Sequence, residues 1–530
     1  EVPLSHIGFS VKNNEESIIS HKRWFPIQNG GEFRRWYGNI DSVVDWENDG
    51  YRMKFDNYMG TRVRSHNYNG EYAFHRAISW TTISSSNFAC RFADVGFIFD
   101  TAGPFFSPRK QEWLFSVLAF LQTKVAAFYL KLLNPTINFP PGYIESLPYS
   151  EKCNRIDIEN MSKNTTLISK SDWDSYETSW DFQRHPLLHS VSYLADAYTA
   201  WKAECEQRFL QLKTNEEELN RIFIGIYGLQ DELTPDVADK DVTVHRIFDT
   251  KDDVPESMQG SNYVRTKRDE IVSLLSYAVG CMFGRYTLYE EGLLYAGGPW
   301  DYGSKVDRLS DSAKRNGFSE WIPSALFLPD EDNVIPITDE EYLHDDIISR
   351  LCDWLKAAYG EDTLEENLDF IADALGGKGN SSREIIRNYF LKDFFKDHCK
   401  TYQKRPIYWL FDSGKQNGFK ALIYLHRYTP DTIGNLRVDY LHKMQRVYES
   451  EINRMQDMID HSTNAREVAA STKRKEKLQK QLKECRDYDE MIAHLALSRI
   501  ELDLDDGVKV NYEKIQTASD GKKYPVLAKI

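Results

Sequence analysis

The chain has 530 residues, a formal net charge of −15, 41 % apolar residues and 28 % charged residues. This composition is typical of a globular protein with several cores, and it excludes disorder, collagen and a disulfide scaffold as overall classes. The charge is uneven, because residues 151–400 hold 28 Lys and Arg against 48 Asp and Glu, whereas residues 1–150 and 401–530 carry +1 and +4. The net charge therefore does not exclude basic, nucleic-acid-binding surfaces in the N-terminal and C-terminal parts of the chain.

The cysteines and the longest apolar stretch favour a cytoplasmic protein with no membrane span. There are 7 cysteines, an odd number, and none forms a CxxC pair. This argues against a zinc ribbon and a disulfide framework and favours reduced, packed thiols. The apolar stretch Trp113–Leu133 is interrupted by Gln122, Lys124 and Lys131. It predicts one buried helix over Gln111–Leu133 rather than a bilayer span.

Residues 1–150 predict a mixed α/β domain. Glycine and asparagine turn signals separate short runs of β-branched and aromatic residues that predict strands, at 43–46, 77–83 and 96–99. The predicted apolar helix follows and ends at Asn134-Pro135, since proline cannot continue it. A rigid proline-rich segment, 138–148, closes the domain.

The rest of the chain predicts mainly helical domains, an acidic one over 151–400 and a C-terminal region over 401–530. Within the latter, apolar residues spaced by three and four predict an antiparallel helical hairpin over 436–498. Asp506-Gly507, flanked by alternating residues, predicts a short C-terminal β-hairpin. The predicted fold class is therefore multidomain α+β.

Motifs for common enzyme chemistry are absent from the sequence. There is no P-loop, no GxGxxG after a strand, no HExxH or GxSxG, and no histidine ligand spacing. The tetrapeptide [DNS]PP[YFW], with which adenine methyltransferases hold a flipped base, is also missing, and Phe139-Pro-Pro-Gly142 is only a near miss. We therefore predict no catalytic, cofactor-binding or metal-ligating residue in this chain.

Residues 22–76 interleave cations with aromatic residues in a pattern typical of nucleic-acid contact. Arginine can bind guanine with two hydrogen bonds and asparagine can bind adenine, while lysine serves phosphates. The predicted base-reading residues are Arg62, Arg64, Ser65 and Asn67. The predicted phosphate contacts in this segment are Lys22, Arg23, Arg34 and Arg35. The alternative is an ordinary solvated, aromatic-rich surface.

Further basic positions lie in the C-terminal region. They are Lys404, Arg405, Lys473, Arg474 and Lys475. If they bind phosphates, they complete a clamp around a duplex that is also read by residues 1–150. The alternative is that they solvate helix ends.

Several longer strings resemble the PglX family, the adenine-specific DNA methyltransferases of BREX phage-defence systems. In residues 1–150 they are Gly31-Glu-Phe-Arg-Arg-Trp-Tyr-Gly38, Val43-Val-Asp-Trp-Glu-Asn-Asp-Gly50 and Gly142-Tyr-Ile-Glu-Ser-Leu-Pro148, which resemble a target-recognition region. Further on, Asn215–Ile224, Ser276–Arg285 and Arg405–Phe411 are also similar to the family. The resemblance covers essentially the whole chain.

The resemblance implies double-stranded DNA as a partner and target recognition for N6-adenine methylation. The catalytic and S-adenosylmethionine-binding motifs of the family belong to an N-terminal methyltransferase domain that this sequence lacks. We therefore expect this chain alone to be inactive and to carry no cofactor. Other expected partners are that N-terminal domain, other BREX proteins and DNA-mimicking phage inhibitors. The alternative function is a scaffold that docks other BREX components without binding DNA.

Overall fold

The chain forms two compact units in a computed structural model that describes residues 2, 4–55, 57–58, 62–63, 65, 69–84, 87–188, 191–315 and 327–530. The first unit holds Leu4–Pro186 and Tyr198–Asp269, and the second holds Leu187–Ala197 and Glu270–Ile530. The domain boundaries predicted near 150 and 400 both fall inside a unit. Small sheets and many helices confirm the multidomain α+β class.

The first unit contains small sheets built from short strands. The strands are β1 Trp24–Gln28, β2 Val43–Asp45, β3 Asn57–Tyr58, β4 Arg62–Val63, β5 Ala77–Trp80, β6 Cys90–Ala93, β7 Ile98–Phe99, β8 Phe105–Phe106, β9 Arg246–Phe248 and β10 Val264–Thr266. The sheet orders are β2-β1-β7, β6-β5-β8, β3-β4 and β10-β9; β1 pairs parallel with β7 and β9 parallel with β10, and the other pairs are antiparallel. Strands predicted at 43–46, 77–83 and 96–99 are thus confirmed.

Helices cover these sheets and complete the main core of the first unit. They are α1 Asn14–Ile19, α2 Glu47–Phe55, α3 Leu114–Leu121, α4 Lys124–Leu133, α5 Pro141–Glu145, α6 Ile156–Asp174 and α7 Leu194–Tyr227, of which α7 begins in the second unit. The core joins Trp36 and Trp80 with apolar residues of α3, α4 and α7, such as Leu118 and Phe223, all nearly inaccessible to solvent. Burial of these large side chains drives the unit to fold.

The predicted single helix over Gln111–Leu133 is wrong, because the stretch forms α3 and α4, which are bent by 77° at Gln122 and Thr123. Thr123 is extended (φ −85°, ψ 160°) and its hydroxyl accepts the amide hydrogen of Ala126, which caps α4. The Gln122 side-chain amide donates to the carbonyl of Cys90. Gln122 thus bonds across the core and Thr123 caps the next helix, and these two contacts outweigh helix continuation.

The second unit combines one antiparallel sheet with many helices. The sheet has the order β11-β13-β12, with β11 Ile335–Pro336, β12 Tyr408–Asp412 and β13 Lys420–Tyr424. The helices are α8 Lys267–Met282, which begins in the first unit, α9 Tyr302–Arg315, α10 Ile347–Tyr359, α11 Leu364–Leu375, α12 Ser382–Lys392, α13 Phe394–Thr401, α14 Thr432–Asn435, α15 His442–His461, α16 Ala465–Ser498 and α17 Val508–Lys514.

The predicted hairpin over 436–498 is confirmed. A π-helical turn, Leu436–Leu441, leads into α15, and α16 returns antiparallel along it. The predicted apolar stripes meet in the core of the second unit, where Met444, Tyr448, Leu478 and Cys485 are buried. Helical spacing in the sequence therefore identified the inner face of both arms.

The predicted C-terminal β-hairpin is wrong. Gly507, at φ +82°, ends a loop, and α17 follows directly. Val508, Asn511 and Ile515 are buried at steps of three and four, whereas Val510 is 53 % exposed. The buried positions thus have helical period, and the alternation that suggested strands does not match burial.

A glycine packed against the middle of α16 gives a test of this packing. A Cβ on Gly418 would lie 2.7 Å from the carbonyl oxygen of Gln481 and 3.0 Å from the Cys485 sulfur. We expect Gly418→Ala to lower the free energy of unfolding by about 1–3 kcal/mol, because the α16 backbone must shift. The measurement is urea unfolding of the whole chain. The control is Gly434→Ala in α14, where a Cβ meets nothing within 4 Å, and equal stability of both variants would contradict the prediction.

Candidate nucleic-acid interface

Arg34 is an internal ion-pair partner of the first unit rather than a surface cation. It is 3 % exposed, and Nη2 donates to Asp172 at 3.1 Å and to the Ser169 carbonyl at 3.0 Å. Its Nε donates to the Tyr37 carbonyl at 2.6 Å. The predicted phosphate contact at Arg34 is therefore wrong, because its donors bind α6 and its own loop.

Arg35 is also engaged inside the first unit. It is 9 % exposed, Nη1 lies 2.7 Å from Glu216 on α7, and Nε donates to the Gln122 side chain at 3.1 Å. Trp36 Nε1 donates to the other oxygen of Glu216 at 2.6 Å. Burial raises the pKa of Glu216 and the Arg35 charge opposes that rise. The predicted phosphate contact at Arg35 is wrong for the same reason as at Arg34.

Asp172 is the acceptor around which the Arg34 site is built. It is 1 % exposed and also accepts from the His245 backbone amide at 2.9 Å, with the His245 Nδ1 at 3.0 Å from Oδ2. Burial alone raises the pKa of Asp172, but His245 and Arg34 together hold it well below its usual range. The carboxylate is thus ionised at neutral pH and ties α6 to two other segments.

Only part of the predicted base-reading segment is described. The backbone of Arg62 lies in β4, which pairs antiparallel with β3 so that Tyr58 faces Arg62. The hydroxyl of the half-buried Ser65 donates to the Met53 carbonyl at 2.9 Å. Arg64, Asn67 and the side chain of Arg62 lie outside the described residues. Base reading by this segment stays a prediction.

Lys22 and Arg23 lie at the start of β1 and are partly exposed. Lys22 Nζ donates to the Ser5 carbonyl. Arg23 Nε donates to Asp45 at 3.0 Å, and its guanidinium lies 4.7 Å from the centre of the Trp24 ring. Arg23 is therefore oriented by its neighbours but keeps 35 % of its side chain exposed, which leaves a phosphate contact open.

Lys404 and Arg405 follow the C-terminal end of α13 and are exposed. Lys404 adopts φ +61°, and its backbone amide donates to the Cys399 carbonyl at 2.7 Å. The backbone amide of Arg405 donates to the Tyr402 carbonyl at 2.8 Å. These bonds close the helix end, as helix C-termini require. Neither cation forms an ion pair within the part of the chain that the structure describes.

The cluster Lys473–Lys475 lies on α16, not in the hairpin turn. Arg474 pairs with Glu340 at 2.6 Å and Glu451 at 3.4 Å, and Lys475 donates to the Gln456 side chain. Lys473 is exposed and has no carboxylate partner among the described residues. Of the three predicted contacts, Lys473 is thus the one whose ammonium group is not already engaged by a neighbouring side chain.

Other exposed cations of α16 were not predicted from the sequence. Arg466, Lys480 and Lys483 are also exposed, and the described part of the chain offers them no ion-pair partner. The spacing of seven between Arg466, Lys473 and Lys480 was the available signal, since it repeats one helix face.

The described residues include neither a metal-binding cluster nor a single membrane-spanning helix. No group of three or more His, Cys, Asp or Glu side chains there is arranged to hold a metal ion. No single helix in these ranges has both the length and the apolar content to cross a bilayer; α3 with its preceding turn and α4 meet that requirement only as a bent pair. The residues of α3 are almost all buried in the first unit.

The Asp172 site yields a stability prediction. We expect Asp172→Asn to cost about 3–5 kcal/mol of unfolding free energy at neutral pH, because Arg34 stays buried without its partner charge. Since the folded-state pKa is depressed, the carboxylate stabilises the fold fully above its unfolded pKa of about 3.9 and loses this effect as pH falls further. Urea unfolding at a series of pH values measures the free energy of unfolding and its dependence on pH. The variant should lack the part of this dependence that comes from protonation of Asp172.

The matched control is Asp181→Asn. Asp181 binds Lys170 but is 62 % exposed, so its loss should cost at most about 1 kcal/mol. Equal losses in the two variants would mean that Asp172 has no special role in the first unit.

The chain has close sequence relatives. It is 41 % identical over 527 residues to the adenine-specific methyltransferase PglX of Lacticaseibacillus casei (strain Zhang), a match that covers 97 % of this chain and 40 % of that protein. It is 33 % identical over 506 residues to the adenine-specific methyltransferase BrxX of Escherichia coli O9:H4 (strain HS), covering 93 % of this chain and 40 % of the relative. No protein-family model matches. The chain thus spans about two fifths of the length of these relatives, and it is homologous to that part of the PglX-type adenine-specific methyltransferases.

Proposed function

We propose that this chain recognises the DNA target sequence for site-specific N6-adenine methylation by a PglX-like BREX methyltransferase in bacterial phage defence. The observation that carries the proposal is the identity of 41 % and 33 % to two adenine-specific methyltransferases over almost the whole chain. The sequence itself holds no cofactor loop and no catalytic tetrapeptide. A site-specific methyltransferase also needs a part that recognises the DNA sequence, and we assign that task to this chain.

Base reading is assigned to the segment that contains β3 and β4. These strands form a two-stranded antiparallel ribbon, and Arg62 lies in its second strand. A ribbon of two strands fits the major groove, where arginine distinguishes guanine by two hydrogen bonds. This pairing supports Arg62 as a base-reading residue. Arg64, Ser65 and Asn67 are proposed with it because they follow it along the sequence.

Phosphate contacts are assigned to the predicted cations that stay accessible. In the first unit these are Lys22 and Arg23, and in the second unit they are Lys404, Arg405 and Lys473. Such contacts carry no sequence information but hold the duplex in register. Arg474 and Lys475 are bound to neighbouring side chains, so a phosphate contact there would compete with those partners.

The proposed partners are double-stranded DNA and the methyltransferase domain that the remaining length of the relatives implies, with S-adenosylmethionine bound by that domain. Other BREX proteins and DNA-mimicking phage inhibitors are proposed because an acidic mimic would meet the same cations. The seven reduced cysteines support a cytoplasmic location.

The scaffold alternative has one observation in its favour. An apolar surface of the first unit exposes Ile83 (65 %), Leu132 (67 %) and Ile137 (57 %). Ile83 and Ile137 lie on paired segments, because Ile83 bridges to Asn138 and the Ser84 amide donates to the Ile137 carbonyl, and Leu132 lies near the end of α4, which precedes this segment. Exposed apolar clusters mark protein-docking surfaces more often than DNA contacts. Docking at this surface is compatible with DNA recognition elsewhere in the chain.

Replacing Arg62 and Arg64, which gives the variants here called the ribbon variants, separates target recognition from docking. We expect Arg62→Ala and Arg64→Ala in the full-length enzyme each to cost about 1–3 kcal/mol of DNA affinity and to relax one position of the methylated sequence. The measurement is sequencing of methylated sites together with duplex binding. Arg76→Ala is the control, because Arg76 pairs with Asp94 at the surface of the same unit. An unchanged site and affinity in both ribbon variants would refute the assignment.

The isolated chain should not bind S-adenosylmethionine. The sequence lacks the glycine-rich loop that would hold the cofactor and the tetrapeptide that would hold the target base. Isothermal titration calorimetry should therefore show no saturable heat, whereas the full-length enzyme serves as the positive control. Saturable binding to the chain alone with a micromolar Kd would contradict the expected division of labour.

A further inference from the structure

The cations of α16 fall into two sets that differ in their partners. Arg474, Lys477 and Arg486 pair with carboxylates, and Lys475 with an amide. The second set, here called the open cations, comprises Arg466, Lys473, Lys480 and Lys483. All four are exposed, and none has a carboxylate within ion-pair distance in the described part of the chain.

The open cations form a row along one side of the helix. Arg466, Lys473 and Lys480 are spaced by seven, so each returns to the same face within about 20° and lies about 10.5 Å from the last. Lys483 follows one turn further, and the row is about 25 Å long. Between Arg466 and Lys483 the same side carries one acid, Glu476, which pairs with none of the four in the described structure. Beyond Lys483 this side becomes acidic, because the exposed Asp487 follows Lys480 by seven residues. The positive excess is therefore confined to residues 466–483.

The orientation of the row is fixed by the opposite side of α16. Leu478, Leu482 and Cys485 are buried in the core of the second unit. At the edge of the row, Glu484 lies one turn after Lys480 and accepts from the Gln416 amide at 2.8 Å and the Gly418 amide at 3.0 Å. Because α16 is held by both apolar and polar contacts, it cannot rotate its open cations toward the protein, and they face solvent.

The length of the row matches an extended polyanion better than a small anion. Duplex DNA carries one negative charge per ~1.7 Å of its axis, and ~3.4 Å separates neighbouring charges along each strand. A row of about 25 Å therefore runs beside roughly seven base pairs. A single phosphate ion would reach at most the neighbouring pair Lys480 and Lys483, because Arg466 and Lys473 each lie about two turns from the next open cation.

We propose that the open cations of α16 are a sequence-independent track for the phosphate backbone of duplex DNA. The proposal rests on the proposed function for its ligand, but it assigns a different task to different residues. The track holds DNA of any sequence, whereas the β3–β4 ribbon chooses the site.

The test uses the whole 530-residue chain and a fluorescent duplex of about 30 base pairs, titrated over a range of salt concentrations. The variant K473Q/K480Q/K483Q should lower the slope of log affinity against log salt by about 2.7, because each lost phosphate contact removes about 0.9. The loss of affinity should be equal for two unrelated duplex sequences. Thermal unfolding of each variant verifies that the hairpin is intact.

The matched control is R474Q/K475Q/K477Q, which removes the same charge from the same helix but from engaged side chains. It should leave the slope almost unchanged. Equal slopes in both triple variants, an unchanged slope in the first, or absence of duplex binding by the wild-type chain would each overturn the track. If polyglutamate, added at the same concentration of negative charge as the duplex, displaces the duplex, the open cations would instead bind an acidic protein.

These outcomes are distinguishable from a failure of the proposed function. If the track is wrong but the ribbon variants still alter the methylated sequence, DNA recognition stands without α16. If the ribbon variants change nothing while the track variant loses its salt slope, the chain holds DNA but does not read it.

Discussion

Two buried ion pairs hold the loop between β1 and β2 to the helices of the first unit. Arg34 binds Asp172 of α6, and the adjacent Arg35 binds Glu216 of α7. Between them and β6, Trp36 exchanges backbone hydrogen bonds with Cys90 and Phe92 and is itself fully buried. Removing either partner would leave a buried charge unpaired, so these two pairs tie the loop firmly to α6 and α7. The loop in turn contacts β6 through Trp36, which connects a sheet of this unit to its helices.

The presence or absence of a nearby carboxylate also distinguishes the remaining cations of the protein. Where a carboxylate lies close, as at Arg474 beside Glu340, the charge contributes to internal contacts and is neutralised. Where none does, as along the row on α16, the charge is available to a partner. A chain with a net charge of −15 can therefore still present local cationic surfaces, because short-range pairing, not the total, decides the potential at a surface.

Sequence patterns predicted those elements whose burial follows a simple period. The hairpin arms were found because Met444, Tyr448 and their partners repeat at helical spacing, and the strands at 43–46 and 77–83 because β-branched and aromatic residues cluster there. The patterns failed at Gln122–Thr123, where polar side chains break an apolar run, and at Val508–Lys514, where a helix replaces the expected hairpin. At the first site Gln122 bonds to Cys90, which lies 32 residues earlier in the chain, and at the second the buried residues Val508, Asn511 and Ile515 follow a helical period.

The sequence by itself determined the family resemblance, the mixed fold class and the absence of methyltransfer motifs, because these depend on residue types in a fixed order along the chain. Tertiary structure alone decided which cations face solvent. Arg34 and Arg35 sit in a string that is typical of DNA contact, yet their partners Asp172 and Glu216 lie more than a hundred residues further on. An arginine beside aromatic residues has the same local pattern whether it binds a phosphate or a buried carboxylate, so only the folded chain distinguishes the two roles.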